Sequence, residues 1–141
     1  MCLAMYLFTV GKINESDWSK ESPGLFVTKA DDRNDNGYLK WNFQDLNAYY
    51  IGSSSGCGCG WNEISDFDDQ EEKDEKSKDR KSLIQLMEKI NSGRSYIVVC
   101  WEGEQGEELS EEVRLTLPDI ENTSFKFMEL IKYFIDVCPD N

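Results

Sequence analysis

The stretch "GSSSGCGCGW", residues 52–61, sets two cysteines apart by a single glycine inside a run of serines and glycines. Thiols at i and i+2 reach one ion when Gly58 lets the loop fold back, since tetrahedral zinc holds two sulfurs only about 3.7 Å apart. Zinc or copper is therefore the cofactor this pair invites, with Cys57 and Cys59 as ligands. Two ligands do not make a site. The chain offers three further thiols, Cys2, Cys100 and Cys138, and the carboxylates Glu63 and Asp66 lie just beyond the loop. Cys2 and Cys100 fall in expected strands, and pairing of those strands would bring them together. The same constellation of Cys2, Cys57, Cys59 and Cys100 also carries a redox reading. A bond between cysteines two apart closes a tight, strained ring and is easily reduced. A third reading is an anion cradle made by successive Ser and Gly N–H groups. A fourth is a plain turn whose small thiols pack inward. The spacing that would single out zinc, two separated CxxC pairs, is absent.

Composition narrows the chemistry further. The 141 residues contain no histidine, which removes Ser/His and Cys/His relays and mixed Cys/His zinc sites together. No Walker motif, dinucleotide fingerprint, nucleophile elbow or paired-carboxylate signature is present. A net charge of −13 opposes nucleic acid and anionic membrane surfaces alike, because phosphate binding needs clustered Lys and Arg. A small ligand or a protein partner is compatible with that charge. The opening "MCLAMYLFTVGK" has no positive leader, and its apolar run is too short for a bilayer. With five cysteines, an odd number, a reducing cytoplasmic setting is expected in preference to a disulfide framework.

The elements that must position these residues follow from periodicity. Residues 2–10 alternate weakly, as a strand buried on both faces does, and "SYIVVCW" (95–101) reads as a central strand. "LFVTKA", "YLKWNF", "AYYIG" and "EVRLTL" are the other strand candidates. Leu83, Leu86, Met87 and Ile90 recur at i, i+3, i+4 and i+7, which predicts a helix over about 78–91 ending at a Gly93 cap. Residues 62–78 are strongly acidic and predict a mobile loop with Phe67 as its one large apolar anchor. "DDRNDNG" shares its composition with calcium loops, but Asp31, Asp32 and Asp35 are out of EF-hand register, so a turn is expected. Residues 125–137 fit a helix or a strand, and their Phe, Ile, Tyr and Val content favours the strand. Trp61, Tyr50 and Trp101 are candidate pocket-lining residues beside the cysteine loop, with aromatic core as the commoner role for such side chains. The expectation is one α+β domain over 1–141, built on a mostly antiparallel sheet of five to seven strands with the helix on one face.

Two resemblances add to this. "MCLA" resembles the openings of class II glutamine amidotransferases and other N-terminal nucleophile hydrolases. That likeness implies Cys2 as a nucleophile with its own α-amino group as base once Met1 is removed, although those folds usually need a longer chain. More of the sequence resembles a family of small uncharacterised bacterial proteins that start Met-Cys-(Ile/Leu)-Ala and carry a Gly-Cys-Gly-Cys-Gly-aromatic loop. "MCLAMYL", "YYIGSSSGCGCGW" and the helix before "IVVCWEG" carry that likeness. It brings no established activity, but it implies that Cys2, Cys57 and Cys59 act as one constellation. The expected function is a binding or interaction module centred on the Gly-Cys-Gly-Cys-Gly loop. The alternative is a thiol-dependent enzyme.

Overall fold

Strands that are apolar without alternation must be covered on both faces, and the two most apolar runs of this chain lie in the middle of its sheet. The computed structural model describes residues 2–32, 36–43, 45–90 and 94–137. Its strands are β1 (Leu3–Thr9), β2 (Phe26–Lys29), β3 (Asn47–Gly52), β4 (Ser95–Trp101), β5 (Glu112–Thr116) and β6 (Lys132–Asp136). They form one sheet in the order β2-β3-β1-β4-β6-β5. Every neighbouring pair is antiparallel except β5 with β6. A parallel neighbour needs a crossover, and residues 117–131 supply it, beginning with the short helix α2 (Leu117–Glu121). The main helix is α1 (Gln70–Ile90). The class is α+β, with six strands and one long helix.

Both faces of the sheet are filled. Leu3, Met5, Leu7, Ile97 and Val99 point toward α1, where they meet Leu83, Ile84, Met87 and Trp61. Ala4, Tyr6, Phe8, Val98 and Cys100 point the other way, into an aromatic layer with Tyr38, Trp41 and Tyr50. All seven residues of β1 are buried, which explains their lack of alternation.

Several expectations are corrected. "YLKWNF" is not a strand: Gly37–Trp41 is a 3-10 helix that ends at Asn42 in the left-handed region. Three residues per turn place Tyr38 and Trp41 on one inward side and leave Leu39 exposed, a pattern easily mistaken for alternation. Leu117 belongs to α2, not to the strand before it, because Thr116 and Asp119 form a capping box there. The helix begins at Gln70 and not near residue 78. The Asp69 carboxylate accepts the Glu72 N–H at 2.8 Å, and Glu71 and Glu72 complement the positive end of the helix. The irregular part of the acidic stretch is thus confined to 62–69. There Lys76 Nζ ties the Glu63 carbonyl and the Asp68 carboxylate. Phe67 does not anchor it, being 97% exposed. Of the ambiguous segment 125–137, only Lys132–Asp136 is strand. Leu130 takes a left-handed φ of 59°, and its N–H donates to the Val99 carbonyl, which turns the chain into β6. Asp35 of the acidic turn, the Gly93 cap and Cys138 lie outside the described residues.

Candidate functional site

The cysteine loop follows β3 directly and packs against the first residues of β1. Cys57 is extended and caps a 3-10 helix, Gly58–Trp61, its sulfur accepting the Cys59 N–H at 3.4 Å. Gly58 is required by close approach: a Cβ there would lie 2.1 Å from the Leu3 carbonyl oxygen. That contact seats the loop on the chain next to Cys2. As a result the sulfurs of Cys2, Cys57 and Cys59 all lie within 4.8 Å of one another. Cys2 is exposed, while Cys57 and Cys59 are half-buried.

A small buried network sets the loop's shape. The Ser53 hydroxyl donates to the Cys57 carbonyl at 2.7 Å and accepts the Gly60 N–H at 3.1 Å. The Ser54 N–H and hydroxyl both donate to the Asp79 carboxylate, the hydroxyl at 2.8 Å. The anion that this Ser-rich backbone holds is therefore the protein's own. Trp61 Nε1 donates to the Ile51 carbonyl at 3.0 Å, and Arg80 Nη2 donates to the Trp61 carbonyl at 3.1 Å. Arg80 further donates to the carbonyls of Ile120, Asn122 and Phe125, and its guanidinium lies over the Phe127 ring. Two adjacent charged residues of α1 thus grip both ends of the loop.

Electrostatics divide the thiols. Partial burial pushes the Cys57 pKa up, but the Cys59 N–H and hydrogen bonds from Ser55, Cys59 and Cys2 outweigh it and leave the value below the ordinary one. Burial raises Cys59, and the neighbouring sulfurs add to that against the opposing Leu3 N–H, carrying it to about 11. Of the two loop thiols, Cys57 is thus the one whose negative charge is favoured, and that of Cys59 is resisted. Burial also raises the Asp79 carboxyl against its Ser54 hydrogen bonds, and lowers Arg80 to about 10, so Arg80 stays charged at neutral pH.

The structure brings together Cys2, Cys57 and Cys59 and leaves Cys100 out. Cys100 is fully buried in the aromatic layer beside Ala4 and Val98. The aromatic candidates do not share a pocket wall. Trp61 is buried on the α1 side, Tyr50 belongs to the opposite layer, and Trp101 packs half-buried at the margin of the α1-side core. A cavity of about 430 Å³ opens elsewhere, beside Phe8, Tyr38, Phe43 and Tyr49. Glu63 and Asp66 do not join the sulfurs; among the described residues the trio is the one group of three or more such ligands. Ser53, Asp79 and Arg80 escaped sequence reasoning. A signal for the last two exists, since positions 79 and 80 precede Leu83 by four and three residues and so continue its inward stripe.

No protein-family model, no curated protein and no solved structure matches this chain. Among the described residues no helix is long and apolar enough to cross a membrane.

Proposed function

We propose that this protein is a binding module for a thiophilic metal ion, held by Cys2, Cys57 and Cys59. The observation that carries the reading is the convergence of three sulfurs from two distant segments within 4.8 Å, a spacing that a single ion can draw to ligand distance. Three thiolates repel one another, and a cation between them turns that cost into attraction. The support for the site is rigid: Gly58 abuts β1, and Ser53 and Asp79 hold the loop from behind. The reading belongs to a reducing, cytoplasm-like compartment, where the thiols stay available.

The test is metal content. Fully reduced protein, stripped of metal and titrated with zinc(II) and with copper(I), is expected to take up one ion per chain. Cys2→Ser, Cys57→Ser and Cys59→Ser should each weaken uptake while leaving the far-ultraviolet spectrum and cooperative melting in place. A chain that binds neither ion more tightly than the triple serine variant would refute the proposal.

The second reading is a thiol-dependent enzyme. It is favoured by the lowered pKa of Cys57 and by Cys59 and Cys2 standing next to it as resolving thiols. A metal-free protein whose Cys57 reacts with an alkylating probe well below the pH of an ordinary thiol would favour it over metal binding.

A further inference from the structure

The chemistry of the donor set goes one step beyond the presence of a metal. The three candidate ligands are sulfurs, the chain has no histidine, and no described carboxylate oxygen lies within 4.8 Å of all three. Zinc(II) in protein-bound structural sites takes four protein ligands in a tetrahedron, and soft thiolates alone do not favour it over other thiophilic ions. Copper(I) is also closed-shell and is softer, and soft sulfur donors select it. A trio of thiolates with no fourth Cys or carboxylate donor among the described residues suits such an ion better than it suits zinc.

The loop's anchoring keeps the donor number at three. Cys57 and Cys59 sit either side of Gly58, whose missing side chain lets the backbone rest on the Leu3 carbonyl. The Ser53 hydroxyl braces the loop at Cys57 and at Gly60, and Asp79 fixes Ser54. With both ends held, the loop cannot swing toward the acidic stretch to collect an oxygen ligand without breaking these bonds. The Ser55 hydroxyl lies 3.7 Å from the Cys57 sulfur, and a neutral hydroxyl is a hard, weak ligand for either ion. Cys2 leaves one side of the trio facing solvent. An incoming thiol donor has access to the ion from that side, so exchange can proceed by ligand substitution with no change of oxidation state.

We propose that Cys2, Cys57 and Cys59 form a mononuclear site selective for copper(I) over zinc(II), three-coordinate in sulfur and open to solvent on the Cys2 side. The inference rests on the metal-binding reading above and names the ion for that same site.

The experiment is a paired competition on the full-length, fully reduced chain under anaerobic conditions. Copper(I) is delivered from a chromophoric copper(I) chelator, and zinc(II) is then added to roughly hundredfold excess, a ratio that separates affinities by two tenfold steps. One copper(I) per chain, with a near-ultraviolet thiolate-to-copper absorption that zinc does not remove, is the expected result. Each of Cys2→Ser, Cys57→Ser and Cys59→Ser should abolish that absorption or weaken copper retention at least about tenfold. Cys138→Ser should retain it, and loss in that variant would show a fourth sulfur and overturn the three-thiolate assignment. Displacement of copper by zinc would overturn the selectivity while leaving the metal-binding reading intact. Uptake of several copper ions per chain would overturn the mononuclear site. Binding of neither ion beyond that of the triple serine variant would overturn both proposals at once.

Discussion

Gly58 shows how much of the site depends on one missing atom. Its Cβ position falls 2.1 Å from the Leu3 carbonyl oxygen, a backbone atom of β1 held in its ladder with β4, where Leu3 faces Trp101. That oxygen cannot yield, so in a Gly58→Ala variant the loop itself must lift. The expected cost is about 1–3 kcal/mol in stability, typical of forcing atoms into a packed region. Because the lifted loop carries Cys57 and Cys59 away from Cys2, metal uptake should fall along with the melting temperature. A Gly58→Ala protein of unchanged stability would mean that the loop is not seated on β1. Gly60 is a second such contact, since its added Cβ would lie 2.7 Å from the Ser53 Cβ, which no turn of the Ser53 hydroxyl moves away. At this scale the sequence was informative about which atoms are reactive and silent about which of them meet. Cys2, Cys57, Cys59 and Cys100 are equivalent as thiols. Cys100 is set apart by its place in β4, which turns it into the aromatic layer, while Cys2 ahead of β1 meets the two loop cysteines at the margin of the sheet.

At the scale of elements, α1 is both a cover for the sheet and the clamp of the cysteine loop. Arg80 is 1% exposed and satisfies four backbone carbonyls from Trp61, Ile120, Asn122 and Phe125. Arg80→Ala removes a donor from all four carbonyls, of which that of Asn122 still accepts the Phe125 N–H, and should cost about 3 kcal/mol, read from urea midpoints. Arg80→Lys should rescue little, because an ammonium cannot reproduce the planar fork. Asp79 yields a pH dependence of definite sign. Burial raises its pKa in the folded state above the unfolded value, so the folded protein binds the proton more tightly. Its contribution to stability is fully present below the unfolded pKa and is lost as pH rises through the folded one. The stability of wild type minus that of Asp79→Asn should therefore shift in favour of wild type as pH falls from neutral toward the ordinary carboxylate range. A difference that is flat with pH, or that moves the other way, would show that the carboxyl is not held against burial. Sequence reasoning identified the C-terminal half of α1 from its apolar stripe. It missed the N-terminal half because a helix with no apolar face there is polar all round, and composition alone reads that as loop. The cap at Asp69 and the acidic first turn start it there, and it runs without a break into the apolar half.

On the scale of the molecule, the sheet is a partition between two different interiors. Val99 faces the aliphatic side under α1, and Val98 faces the aromatic layer of Tyr6, Tyr38 and Trp41. Both are fully buried. Val98→Asp and Val99→Asp should each prevent cooperative folding, since an unpaired buried carboxylate costs several kcal/mol against a total stability of about 5–15 kcal/mol. A soluble, cooperatively melting form of either variant would show that its face of β4 is not closed. The three-cysteine cluster lies at the edge of this partition, where β1 begins and the loop after β3 folds over it. Two central strands, one long helix and a loop thus place three thiols where the surface meets the core.

What the sequence determined by itself was local and one-dimensional. The continuous apolar runs at 3–9 and 95–101 required strands covered on both faces, and the stripe through Leu83 and Met87 required a helix, because periodicity is set by backbone geometry. The absence of histidine and the five cysteines fixed the available chemistry before any fold was known. Tertiary structure decided the rest. Pairing of β1 with β3 brought Cys2 beside residues more than fifty positions away, and no spacing along the chain encodes that meeting. Opposite faces of the sheet received Trp61 and Tyr50, which dissolved the expected aromatic pocket. The inward turn of Asp79 and Arg80 depended on carbonyls and hydroxyls contributed by other segments. A charged residue is buried only where such partners converge, and convergence is a property of the folded chain.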